Sequence, residues 1–246
     1  MANGSANSPD PSAPWPVGWW VRRVAETGST NADLLQEGTE GAKHHTVLMA
    51  DFQTAGRGRL DRSWDAVRGA NLLVSILFRM DGRPLHHYTQ IVGLAARAAL
   101  LDVAGVDVEM KWPNDLLARN VKISGILAQA GVGFVVVGIG VNVGWAPDGA
   151  VCVRDLAPTS TCAPVDVLAA MLPHIERLEG LSREELHSEY VAALATIGQR
   201  VRVELAGSEV IGTAVGVGED GRLHVIDECA LSHHIDTGDV VHLRPA

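Results

Sequence analysis

The chain has little cysteine, few aromatic residues and no excess of positive charge, and each shortage excludes something. Cysteine occurs three times in 246 residues, at Cys152, Cys162 and Cys229. An odd number without paired spacing is no disulfide framework. It fits a reducing, cytoplasmic setting, where such thiols are buried or idle. Phe, Trp and Tyr make up 4% of the chain, and the formal net charge is −9 with a pI near 5.5. A protein that grips duplex nucleic acid carries a basic footprint, and the chain as a whole has none. Any anion-binding function must therefore rest on a local patch. No secretory signal is expected at the start of the sequence either. Residues 1–16 are rich in Ala, Ser, Asn and Pro, hold no Lys or Arg, and read as a disordered tail. One uncharged run, residues 123–147, is long enough to cross a bilayer. Gln129 and Asn142 interrupt it, and residues 130–133 read as a turn. Two buried strands explain it better than a membrane helix.

What is present is globular. The hydrophobic share is 47%, the charged share 20% and the mean hydropathy +0.12. That suits one substantial domain with a small appendage. Apolar periodicity predicts strands over residues 19–25, 46–52, 71–78, 108–111, 122–129 and 134–143. Helices are expected over 30–36, 84–101, 165–179 and 182–195. Thr30 with Asp33, and Ser182 with Glu185, have capping-box spacing. Pro173 predicts a kink or early break. Residues 53–70 and 144–163 read as loops. After Gly198 the pattern changes to short strands with a hairpin signal at residues 219–221, which suggests a small barrel.

Chemistry concentrates in four segments. Gln53-Thr54-Ala55-Gly56-Arg57-Gly58-Arg59-Leu60-Asp61-Arg62-Ser63-Trp64 joins flexible glycines to forked cationic donors and a flat indole. Such a loop can clamp an anionic nucleotide. It is equally readable as a solvated basic loop or an RNA-contacting stretch. The second segment is Lys111-Trp112-Pro113-Asn114-Asp115, followed by Lys122 and Gly125 at an apolar strand. A lysine there needs an anionic partner or a route to water. Third come Ser29, Thr30 and Asn31 at a helix start, where capping alone is a sufficient explanation. Fourth is Gly138-Ile139-Gly140-Val141-Asn142, whose glycines allow close approach of a ligand or backbone. No helix of the right spacing follows, so this is no dinucleotide fingerprint. The pairs His44-His45, His86-His87 and His233-His234 lack metal-ligand spacing and read as surface histidines, with no dedicated metal site.

In this order the segments resemble the biotin–protein ligase family: Ser-Thr-Asn, Gln-x-x-Gly-Arg-Gly-Arg, Lys-Trp-Pro-Asn-Asp-Leu, Lys-x-x-Gly-Ile-Leu and Gly-x-Gly-x-Asn. The resemblance runs from about Arg22 to Ala246. It implies an α+β fold: a mixed-sheet catalytic domain of the biotin/lipoate ligase type over residues 17–198, then an SH3-like barrel over 199–246. It implies that Ser29, Thr30, Asn31, Gln53, Gly56, Arg57, Gly58, Arg59, Lys122 and Gly125 contact biotin. By the same resemblance Arg57, Arg59, Arg62, Trp64, Asn114, Lys122 and Asn142 serve ATP or the adenylate, with Lys122 and Arg59 catalytic. Mg2+ would accompany ATP. The partner would be a biotin carboxyl carrier domain of an acyl-CoA or pyruvate carboxylase, with neither nucleic acid nor membrane involved. Leu60 and Asp61 depart from the family, which has Arg or His and then Gly. Residues 144–163 do not align with its adenine-covering loop. Only 28 residues precede Ser29 and they show no helical pattern, so a short form without a DNA-binding domain is expected. A lipoate–protein ligase is the nearest rival; a nucleic-acid-binding module is the rival of a different class.

Overall fold

A computed structural model describes residues 15–205 and 207–243. In chain order the elements are β1 (Trp20–Val24), α1 (Thr30–Thr39), β2 (Thr46–Ala50), β3 (Leu72–Arg79), α2 (Leu85–Ala104), β4 (Glu109–Lys111), β5 (Asp115–Ala118), β6 (Val121–Gly131) and β7 (Phe134–Val141). Then follow α3 (Val153–Leu156), α4 (Pro164–Glu179), α5 (Arg183–Ala192), β8 (Arg200–Leu205), β9 (Ser208–Val217), β10 (Leu223–Asp227), β11 (Ser232–Ile235) and β12 (Asp239–His242). The first seven strands form one mixed sheet in the order β1-β2-β3-β7-β6-β5-β4, with β1 and β2 parallel and the other pairs antiparallel. Strands β8–β12 form a separate five-stranded antiparallel sheet, ordered β11-β10-β9-β8-β12. The fold is thus α+β, as expected.

Strand alternation sorts the sheet's two faces. Leu72, Val74, Ile76 and Phe78 of β3 join the main core with α2 and α4, while Leu77 belongs to a second cluster with Leu34, Leu48, Phe134 and Val136. Helix α1 therefore lies alone on one face, and the main core fills the other. The uncharged run is a hairpin, β6 to β7, turning at Gly133 with φ +76° and pairing Gly131 with Phe134. No helix among the described residues is long and apolar enough to cross a membrane.

Several local expectations need correction. The cap of α1 is Ser29, whose hydroxyl accepts from Ala32 N at 3.5 Å. Asp33 instead accepts from Thr27 Oγ1 at 2.5 Å. Pro173 does not break α4, because it faces outward while Leu168, Met171, Leu172 and Ile175 hold the helix against the core. Residues 144–163 are not wholly irregular: α3 is one turn, started by Asp155 accepting from Cys152 N at 3.0 Å. One turn is too short for periodicity to show. The tail expected over 1–16 falls mostly outside the described residues, and Trp15 packs on the core.

The histidines are not all at the surface. His87 is 2% exposed, and burial, then the charges of His86 and Arg183, push its imidazole down to about 4. His45 stacks on Trp19 with ring centroids 3.8 Å apart. His44, His45 and Glu179 lie close enough to suggest a metal cage. The proton positions argue otherwise. Arg79 N–H donates to His44 Nδ1 at 3.1 Å, so Nε2 carries the ring proton and points it at Glu179, 3.4 Å away. Burial raises the Glu179 carboxyl, and hydrogen bonds from His44 and His45 outweigh it, holding it at about 2. The cluster is a carboxylate clamp joining the residues before β2 to the end of α4.

Candidate active site

Strand β7 explains where the pocket is. Phe134 and Val136 fill the face beneath α1. Two residues on come Gly138 and Gly140, on the same face because strand side chains alternate. A Cβ on Gly138 would lie 2.2 Å from Asn31 Oδ1, and one on Gly140 2.3 Å from Trp64 Cε2. A Cβ on Gly125 of β6 would lie 3.0 Å from Trp64 Cζ3 and 3.2 Å from Lys122 Nζ. The glycines thus form a low floor on which Asn31, Trp64 and Lys122 rest. Above it opens a cavity of about 130 Å³.

One end of the cavity is polar and uncharged. Gln53 Oε1 accepts from Thr30 N at 2.7 Å and from Thr30 Oγ1 at 2.9 Å, satisfying an N–H that the first turn of α1 would leave orphaned. Thr30 Oγ1 also lies 2.7 Å from Ser75 Oγ, which donates to Asn31 Oδ1 at 2.6 Å. Asn31 Nδ2 donates to Gln129 Oε1 at 2.8 Å and Leu127 O at 3.1 Å. Thr30, Asn31 and Ser75 are all buried. Such a buried network is rigid, and because the Thr30 and Ser75 hydroxyl protons go to Gln53 and Asn31, their mutual contact leaves oxygen lone pairs short of a donor that a ligand N–H can supply.

The other end is cationic. The arginine loop folds back as a small hairpin, with Gly58 N donating to Arg62 O at 2.8 Å and Trp64 N to Gly56 O at 3.0 Å. Its tip holds Leu60 at φ +55°, a left-handed conformation costing a non-glycine residue about 1 kcal/mol. Arg59 reaches Asn114 Oδ1 at 3.2 Å and Thr237 Oγ1 at 2.8 Å. Burial lowers its pKa, opposed by Asp239 and Asp115. Lys122 pairs with Asp115 at 2.7 Å, so its anionic partner lies within the chain. Arg57, Arg59, Arg62 and Lys122 line the cavity against Asp115 and Asp239, four cations to two carboxylates. This is the local positive patch in an otherwise acidic protein.

Of the residues singled out from sequence, Ser29, Thr30, Asn31, Gln53, Arg57, Gly58, Arg59, Arg62, Trp64, Asn114, Lys122 and Gly125 meet at this cavity. Gly56 and Asn142 do not line it. Gly56 closes the hairpin. Asn142 is buried just beyond the end of β7 and donates to Val151 O at 3.2 Å, fastening the segment before α3. Sequence reasoning missed Ser75, Asp115, Thr237 and Asp239. Asp115 sat within a motif already singled out. Half-buried Lys111 was quoted there too and not used; burial lowers its pKa, opposed by Asp115, with Lys122 adding to the fall.

Comparison with known proteins decides the relationship. The family model described as Biotin/lipoate A/B protein ligase family matches residues 22–144, and that of the Biotin protein ligase C terminal domain matches residues 196–243. The chain is 39% identical over 237 residues to a biotin–[acetyl-CoA-carboxylase] ligase of Mycobacterium tuberculosis, a match covering 90% of this chain and 88% of that one. The chain belongs to the biotin/lipoate protein ligase family. A further ligase of the family, the biotin–[acetyl-CoA-carboxylase] ligase of Paracoccus denitrificans, is 30% identical, with 81% of this chain and 91% of that one covered. A solved ligase of the family, the biotin protein ligase of Aquifex aeolicus in complex with biotin and ATP, superposes with a TM-score of 0.78 at 26% identity, covering 92% of this chain and 99% of that one.

Proposed function

We propose that this chain is a biotin–protein ligase: it joins biotin to AMP with release of pyrophosphate, then passes the biotinyl group to a carrier lysine. The observation that carries the choice of acid is the buried uncharged network of Thr30, Asn31, Gln53 and Ser75. The ureido ring of biotin has two N–H donors and a carbonyl acceptor to satisfy there. The dithiolane head of lipoate has neither, and would leave such a network desolvated without reward.

The cationic end supports the chemistry. In the first step a biotin carboxylate oxygen bonds to the α-phosphorus of ATP and the bond to pyrophosphate breaks. Both reactants are anions, so the barrier is largely electrostatic. Lys122, paired with Asp115 at the base of β6, is held before substrate arrives, which makes its charge effective without reorganisation, while Arg59 ties the loop to Asn114 and Thr237 and closes it over the product. Magnesium belongs to the substrate as MgATP and screens the leaving pyrophosphate. Asp115 and Asp239, the carboxylates that line the pocket among the described residues, are each engaged by a cation. Trp64 lies over the floor and offers its face to the adenine. In the second step a neutral lysine amine attacks the acyl carbon and AMP leaves. The acceptor we propose is a biotin carboxyl carrier domain, of acetyl-CoA carboxylase by analogy with the named relatives.

The test is transfer. With MgATP and biotin, intact-mass measurement should show one biotinyl group added to a carrier domain, and lipoate should give little product. Equal use of the two acids would refute the argument from the ureido network. The floor gives a second expectation. Gly138→Ala crowds Asn31, and overpacking of this kind costs about 1–3 kcal/mol, or roughly five- to 150-fold. The KM for biotin should rise by that factor, read from pyrophosphate release. An unchanged KM would remove Gly138 from the floor of the biotin site.

A further inference from the structure

The two sheets meet at the pocket. Arg62 of the loop hairpin ion-pairs with Asp239, the first residue of β12. Arg59 donates to Thr237 Oγ1 at 2.8 Å and to Gly238 O at 3.4 Å. The segment that receives them is firmly built. A Cβ on Gly238 would lie 2.7 Å from Val203 Cγ1, Val240 is buried, and Asp239 pairs in register with Glu204 of β8. Asp239 is the fixed partner, with 23% of its side chain exposed against 67% for Arg62.

A carboxylate in the wall of a cavity that must admit a triphosphate is a liability unless it does something. Repulsion would weaken nucleotide binding, and a neutral residue would serve better. Here Asp239 spends its charge on Arg62. Together with Thr237 and the Gly238 carbonyl, it ties both ends of the hairpin tip to a body outside the catalytic sheet.

We infer that Asp239 is a positioning residue for the ligation reaction, holding Arg62 and with it the arginine hairpin closed over the pocket. The second sheet is then part of the lid. The inference rests on the reading of the pocket as an adenylate-forming site. An exposed ion pair contributes little to global stability, so its removal leaves the fold standing and exposes the effect on the loop.

The experiment compares the full-length protein with Asp239→Ala, Asp239→Glu, Arg62→Ala and the double variant Arg62→Ala/Asp239→Ala. Pyrophosphate release is measured with biotin over a range of MgATP, and biotinyl-adenylate free in solution is measured per pyrophosphate released. A parent protein that releases no pyrophosphate from biotin and MgATP would overturn the proposed function itself. Given an active parent, Asp239→Ala should raise the KM for MgATP by about fivefold, the upper range for one exposed pair, while kcat holds. More adenylate should escape. Asp239→Glu should restore both readouts. The double variant should match Arg62→Ala, because the two residues act through one contact. Three outcomes overturn the inference: an Asp239→Ala protein that matches the parent, defects that multiply in the double variant, or a fall in kcat that Asp239→Glu does not rescue.

Discussion

Lys122→Ala should lose adenylate formation: pyrophosphate release from biotin and MgATP should fall by about a hundredfold or more. Removing one charge-assisted contact from a preorganised site costs on the order of 3 kcal/mol, a hundredfold in rate. The pairing with Asp115 at 2.7 Å makes the expectation steeper. Truncating the lysine not only removes a positive charge but leaves a carboxylate uncovered in the wall, facing two incoming anions. Lys122→Ala/Asp115→Asn should therefore recover part of the loss, although it has lost both partners. Lys122→Arg should recover little, since a planar fork does not fill the place of a compact ammonium resting against Gly125. No free adenylate should accumulate in any of these variants, because the step that makes it is the one removed. Normal pyrophosphate release by Lys122→Ala would dismiss the lysine from the first step.

Much of the site was legible because its signals are local. The glycines of Gly138-Ile139-Gly140 stand out in an apolar strand, and the arginine loop stands out in an acidic chain. The β6–β7 hairpin was readable through the same uncharged run that could have passed for a membrane span. What escaped depends on partners distant in sequence. Ser29 and Thr30 are adjacent hydroxyls, and either could cap α1. Gln53 decides between them by taking both the N–H and the hydroxyl of Thr30. His45 and His87 carry no local mark of burial. One is covered by Trp19 and the other by packing at the start of α2. Asn142, assigned to the nucleotide on motif position, also has a partner in the fold, since its amide donates to Val151 O. Asp239 had no signal at all. It is one acid at the head of a four-residue strand, and only the meeting of two sheets brings it to Arg62.

Arg59→Ala should give the opposite phenotype to Lys122→Ala: adenylate is still made, but it leaks. Lys122 sits at the base of a strand, whereas Arg59 sits on a hairpin whose tip is held at one non-glycine residue in the left-handed region. In the closed arrangement Arg59 spans three bodies at once: its own loop, Asn114 beside β5, and Thr237 in the turn before β12. That is a closure contact more than a reaction contact. Its loss should loosen the lid over a mixed anhydride that must be kept from water and from bystander amines. Pyrophosphate release should continue or even rise, as product escapes sooner. The fraction of adenylate found free should climb, and unrelated proteins added to the reaction should become biotinylated at surface lysines. Arg59→Lys should retain only partly, because a single ammonium cannot serve Asn114 and Thr237 together with the geometry of a fork. The readouts are timed pyrophosphate release, free adenylate and bystander labelling, all without carrier protein. An Arg59→Ala enzyme that keeps its adenylate and its full rate would show that the hairpin is ornamental to retention, and that the floor and Lys122 hold the intermediate unaided.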